Sequence, residues 1–185
     1  MEKVELLEFR VHDERPSGMG VNRGDCVVRA AAVVLGVVLG GEYDEVYHDL
    51  WDRAVVVNGG RRGRRRVRGV EGTGGTGRGA LSPRLGVPRD VYEPYFGERG
   101  LVWTPLMRVG TGTTVHLRRE RWPGSGDGVP GVGAFVVRVS RHLTAVIDGC
   151  IYDLVDPSRD GTRAVYGWYE LSVGGVGTAH KVVED

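Results

Sequence analysis

The sequence predicts an α+β domain in which helices come first and an antiparallel sheet follows. Three observations predict it. The run Val27–Leu39 is apolar on nearly every helical face and carries Arg29 as its one charge; an aromatic stripe at helical spacing comes next; from Leu101 the pattern turns to short β-rich runs separated by Gly, Pro and Asp. Helices and strands gathered in separate halves of a chain pack as helices on one side of a sheet.

Taken in order, Met1–Arg10 reads as an edge strand or a short helix, and His12–Gly24 as a loop rich in Gly with Pro16. Asp25 is a natural N-cap for the apolar helix of the stretch Gly24–Gly40. A helix hydrophobic all round belongs in the middle of a domain. In Gly41–Ala54, the residues Tyr43, Val46, Tyr47, Leu50, Trp51 and Ala54 share one helical face, which predicts packing on the first helix. Pro88–Arg99 reads as a third helix, with Pro88 suited to its first turn and Pro94 removing one hydrogen bond within it. Strands are expected at Leu101–Thr104, Thr113–Leu117, Ala134–Val139, His142–Ile147, Ile151–Val155 and Ala164–Leu171.

The 185 residues suit one domain over 1–185, with an Arg/Gly-rich insertion at 57–80 and a tail at 172–185. With 25 basic and 24 acidic residues, no global field draws the chain to nucleic acid or membrane. No leader pattern opens it, and its longest apolar run is too short to span a bilayer, so a cytoplasmic protein is expected. Charge is local. Arg61, Arg62, Arg64, Arg65, Arg66 and Arg68 form a run that could contact phosphates, but no aromatic residue interleaves to stack bases. The favoured reading of Asn58–Gly79 is a solvated loop, with nucleic-acid contact the lesser one. His12, His48, His116 and His180 lack metal-ligand spacing, so neither a metal nor another cofactor is expected.

Chemistry concentrates at two places. Cys26 falls in the first turn of the apolar helix, where exposed N–H groups and the positive dipole end favour a thiolate. In Arg141–Asp156, Asp148-Gly149 is a hairpin signal between two β-rich runs. Two registers are open. A two-residue turn pairs Ile147 with Cys150, sets His142 opposite Val155, and brings Asp153 diagonally toward His142. A three-residue connection pairs Ile147 with Ile151 and sets His142 opposite Asp156, where the carboxylate would orient and charge-stabilise the ring. Singly, each residue has an ordinary reading: Cys26 as core filler, His142 as a strand-end histidine, Asp156 before Pro157 as part of a turn. Cysteine at a helix start, histidine on a strand and a carboxylate on the next strand is the chain order of a papain-like hydrolase.

The stretches NRGDCVVRA, YDEVYHDL, VYEPYF, RVSRHLTAVIDG and YDLVDPSRDGTR resemble a family of small phage- and prophage-encoded proteins, a divergent branch of the papain-like cysteine peptidases similar in pattern to bacteriocin-processing leader peptidases. The resemblance spans about Val21–Tyr169, apart from the Arg/Gly insertion. It implies a papain-like fold with Cys26 as nucleophile, His142 as general base and Asp156 as orienting acid, Asp153 being held in reserve. Leader-peptidase relatives carry an oxyanion-binding glutamine where this chain has Gly20, so Asn22 is the substitute donor. The expected activity is hydrolysis of a peptide, isopeptide or side-chain amide bond in a peptide or protein substrate. The alternative is a catalytically inactive phage protein that binds a host protein or nucleic acid.

Overall fold

A computed structural model describes residues 8–12, 24–64, 86–106, 116–117, 132–160 and 162–172, with side chains as far as residue 57 in the second of these segments. The described chain is α+β. Its elements run β1 (Glu8–Val11), α1 (Cys26–Leu39), α2 (Tyr43–Arg64), α3 (Arg89–Glu98), β2 (Leu101–Pro105), β3 (Ala134–Val139), β4 (His142–Ile147), β5 (Cys150–Asp153) and β6 (Val165–Leu171). The six strands form one sheet in the order β1-β5-β4-β3-β6-β2. Every pairing is antiparallel except that of β1 with β5, so the sheet is mixed where a purely antiparallel one was expected. The correction comes from β1, whose four residues pair with a strand from the far end of the chain.

α1 lies across β4 and β3 and is buried from Val27 to Leu35. The small residues Ala30, Ala31 and Ala32 let the helix approach closely, while Val28, Val34 and Leu35 fill the layer it shares with Val136, Leu143 and Ala145. Each such aliphatic side chain contributes about 1.5–3 kcal/mol on burial. α2 adds Tyr43, Val46, Leu50 and Ala54 to this core, as its stripe predicted; α3 adds Val91, Tyr92, Tyr95 and Phe96. Pro94 is accommodated inside α3. A second core, on the other face of the sheet, gathers Leu117, Phe135, Val137, Val146, Ile151 and Trp168.

Two elements differ from the sequence reading. The backbone of α2 stays helical to Arg64, through the first part of the expected Arg/Gly loop. Arg61, Arg62 and Arg64 therefore sit on the last turns of a helix, while Arg65, Arg66 and Arg68 lie outside the described residues. Of the strand expected at Thr113–Leu117, the structure describes His116, in an isolated bridge to Ala164, and Leu117. No helix of the described residues is long and apolar enough to cross a membrane.

Candidate active site

The β4–β5 hairpin takes the two-residue turn. Asp148 and Gly149 have φ values of 48° and 76°, the left-handed pair that such a turn demands and that Asp-Gly supplies at little cost. The Asp148 carboxylate accepts a 2.8 Å hydrogen bond from the Gly133 N–H, and the Asp148 N–H donates to the Gly133 carbonyl at 2.9 Å, which pins the turn to the approach of β3. Ile147 thus pairs with Cys150, Val146 with Ile151 and Ala145 with Tyr152. Continuing this ladder sets Asp153 beside Thr144, diagonal to His142 on the same side of the hairpin.

The diagonal neighbour is the one that makes the bond. His142 Nε2 lies 2.6 Å from Asp153 Oδ2. Asp156, the first choice from sequence, is on the other side of the strand alternation and is turned into its own loop. Its carboxylate accepts from the Ser158 N–H at 2.8 Å and the Ser158 hydroxyl at 2.9 Å. The third member of the cluster is therefore Asp153, and Asp156 shapes the Asp-Pro-Ser turn.

Cys26 opens α1, half-buried, within hydrogen-bonding reach of the His142 ring and of the Leu143 N–H. Burial works against charging either group, but the partners outweigh it. Desolvation raises the Cys26 thiol; the His142 hydrogen bond and charge, the Leu143 N–H and the Arg29 charge together bring it below its ordinary range. Desolvation lowers His142, and the hydrogen bonds and charges of Asp153 and Cys26 lift it to about 9. The Asp153 carboxyl, raised by burial, is held below the usual range by His142, Arg29 and the Leu154 N–H. The arrangement favours a thiolate beside an imidazolium beside a carboxylate.

A buried network supports this trio. Arg29 stands one helical turn after Cys26, and its guanidinium forks: Nη1 donates to Asp153 Oδ1 at 3.1 Å and Nε to Asp25 Oδ1 at 3.0 Å. The second oxygen of Asp25 accepts from the Tyr43 hydroxyl at 3.1 Å. Asp25, Arg29 and Asp153 are 1%, 7% and 6% exposed, so these charges hold only because each is answered. Asp25 accordingly makes no side-chain cap on the first-turn N–H groups at the thiol end of α1. On the other flank Arg163 donates to the Ser140 and Pro157 carbonyls, tying the turn before His142 to the Asp156 loop.

Sequence reasoning missed Arg29, Asp25 and Tyr43 as site residues. The signal was there: one arginine in an otherwise apolar helix requires a buried acid partner. Asn22, the expected oxyanion donor, lies outside the described residues. Cys150 is a buried thiol whose Sγ lies 3.9 Å from the Ile151 carbonyl, remote in role from the trio. Among the described residues no group of His, Cys, Asp and Glu is arranged to hold a metal ion. A cleft of about 440 Å³ between α2 and α3, lined by residues including Asp49, Asp52, Arg53 and Pro94, contains none of the trio. Comparison with protein-family models, with curated proteins and with solved structures finds no match to this chain.

Proposed function

We propose that the chain is a thiol-dependent hydrolase of the papain-like kind, acting on an amide bond of a peptide or protein through Cys26, His142 and Asp153. The observation that carries the reading is that one imidazole, on β4, joins the helix start to the neighbouring strand: its Nε2 lies 2.6 Å from the Asp153 carboxylate, and the same ring interacts with the Cys26 thiol.

In this reaction the Cys26 thiolate adds to the acyl carbon, and the carbonyl oxygen takes the negative charge. The Cys26 N–H, at the start of α1 where Asp25 makes no side-chain cap, is the first donor to that oxyanion. Imidazolium His142 gives its proton to the departing nitrogen, the C–N bond breaks, and a thioester remains. Neutral His142 then takes a proton from water, hydroxide adds to the thioester, and the thiolate leaves with the acid product. Asp153 keeps the ring in one orientation and tautomer throughout and stabilises its charged form. Peptide, isopeptide and side-chain amide bonds all fit these steps, and the phage-encoded origin suggested by the sequence resemblance belongs to the same proposal.

Alkylation with iodoacetamide, followed by mass spectrometry of each cysteine, tests it. Cys26 should react at about pH 6, where an ordinary thiol is almost wholly protonated, and Cys150 should not. A Cys26 profile that rises only near the pH of a free thiol would favour the non-catalytic binding protein instead.

A further inference from the structure

The sheet surface beside Cys26 carries a charged group that this reaction does not use. Arg138 of β3 stands opposite Leu143 of β4, and the Leu143 N–H is the one that reaches the Cys26 sulfur. Opposed residues share a face of the sheet with Cβ atoms about 5 Å apart, so Arg138 rises on the Cys26 side, one strand beyond Leu143. Leu143 itself packs in the core that α1 covers, which fixes the face.

Across its other edge Arg138 pairs with Gly167 of β6. That position has no room for a side chain. A Cβ there would fall 2.6 Å from the Trp103 ring and 2.4 Å from the Thr104 carbonyl, at a φ of 154°. The Trp103 indole occupies the space instead, and the Arg138 guanidinium lies 5.8 Å from its centroid and 5.8 Å from that of Tyr166. The two rings hold the cation in place without neutralising it.

Arg29, Arg53, Arg89 and Arg99 each have a carboxylate partner, and the half-buried Arg163 is answered by the Ser140 and Pro157 carbonyls. Among the described residues Arg138 has no carboxylate partner, although it is half-buried. A half-buried cation held by rings and lacking its acid is built to receive one from outside, since a guanidinium presents several N–H groups in the fork that a carboxylate matches.

We propose that Arg138, framed by Trp103 and Tyr166, is a subsite for a carboxylate of the substrate, an acidic side chain or a free peptide terminus, on the same face of the sheet as the Cys26 nucleophile. The inference rests on Cys26 being the nucleophile and names the substrate class of that same site.

Three chloroacetyl dipeptides test it in the full-length protein: one with glutamate and an amidated end, one with glutamine and a free terminal carboxylate, one with glutamine and an amidated end. The rate of the neutral probe reports the nucleophile and the rate ratio reports the subsite, so failure of one reading is distinguishable from failure of the other. At least one anionic probe should alkylate Cys26 about tenfold faster than the neutral one, as expected for one charge pair at several ångströms in a medium between water and protein interior. Which of the two is faster identifies the source of the carboxylate. Arg138→Gln should abolish the preference and leave the neutral rate as it was, whereas Arg138→Lys should retain part of it. Equal rates for all three probes in the wild type, a preference that survives Arg138→Gln, or its complete loss in Arg138→Lys would overturn the proposal.

Discussion

Replacing Asp153 by Asn removes one charge and almost no volume at the centre of the network. In the wild type His142 is held at about 9 against an ordinary 6.5, a difference worth about 3 kcal/mol in favour of the imidazolium. Asp153 and the Cys26 thiolate share that effect, with the Asp153 hydrogen bond the larger of the partner contributions. About half of it or more should vanish with the carboxylate, which is about tenfold or more in the thiolate–imidazolium population. With burial then less opposed, the ring is neutral near neutrality and the thiol regains its proton. The assay is Cys26 alkylation by iodoacetamide between pH 5 and 9 in a Cys150→Ser background, with circular dichroism to check folding. At about pH 6 the Asp153→Asn rate should fall tenfold or more. Asp156→Asn is the matched control. It replaces one of the two oxygens that accept from Ser158, costs about 1 kcal/mol of stability, and should leave the alkylation profile in place. The reverse outcome, with Asp156→Asn slow and Asp153→Asn unchanged, would refute the register and the assignment built on it.

Other outcomes follow from the same geometry. Arg29→Met leaves buried Asp25 with the Tyr43 hydroxyl but no cation, removes one of the two cations at Asp153, and should cost about 3–5 kcal/mol in urea unfolding, far more than Tyr43→Phe, which removes one hydroxyl from Asp25. Gly167→Ala drives a methyl into the Thr104 carbonyl and the Trp103 ring, and thermal unfolding should show a loss of about 2 kcal/mol or more. Because the His142 value is raised on folding, its contribution to stability is whole below about 6.5 and is lost as pH rises through about 9. The unfolding free energy of wild type relative to His142→Ala should therefore decline across that window.

Much of this site can be read from the sequence, and the parts that cannot have physical reasons. α1 declares itself because an apolar run between Asp25 and Gly40 has only one place to go in a domain. The Asp148-Gly149 turn declares itself too, since both residues adopt positive φ readily. Register does not, because alternating apolar residues satisfy either pairing and a one-residue slip exchanges Asp153 for Asp156. The answer lies in the turn geometry and in Arg29, whose buried charge needs Asp153 as a partner. β1 was equally obscure: four residues carry little pattern, and their partner strand lies 142 residues further on, Glu8 pairing with Cys150. The helical backbone beyond Ala54 runs against local preference, since Gly59, Gly60 and Gly63 all disfavour helix.

The central claim is that Cys26 and His142 share an ion pair held by Asp153, and a nuclear magnetic resonance titration of the His142 ring carbons tests it most directly. The ring should stay protonated through neutrality and titrate near 9 in the wild type, then shift downward in both Cys26→Ala and Asp153→Asn. A ring that titrates at its ordinary 6.5 in all three proteins would contradict the account.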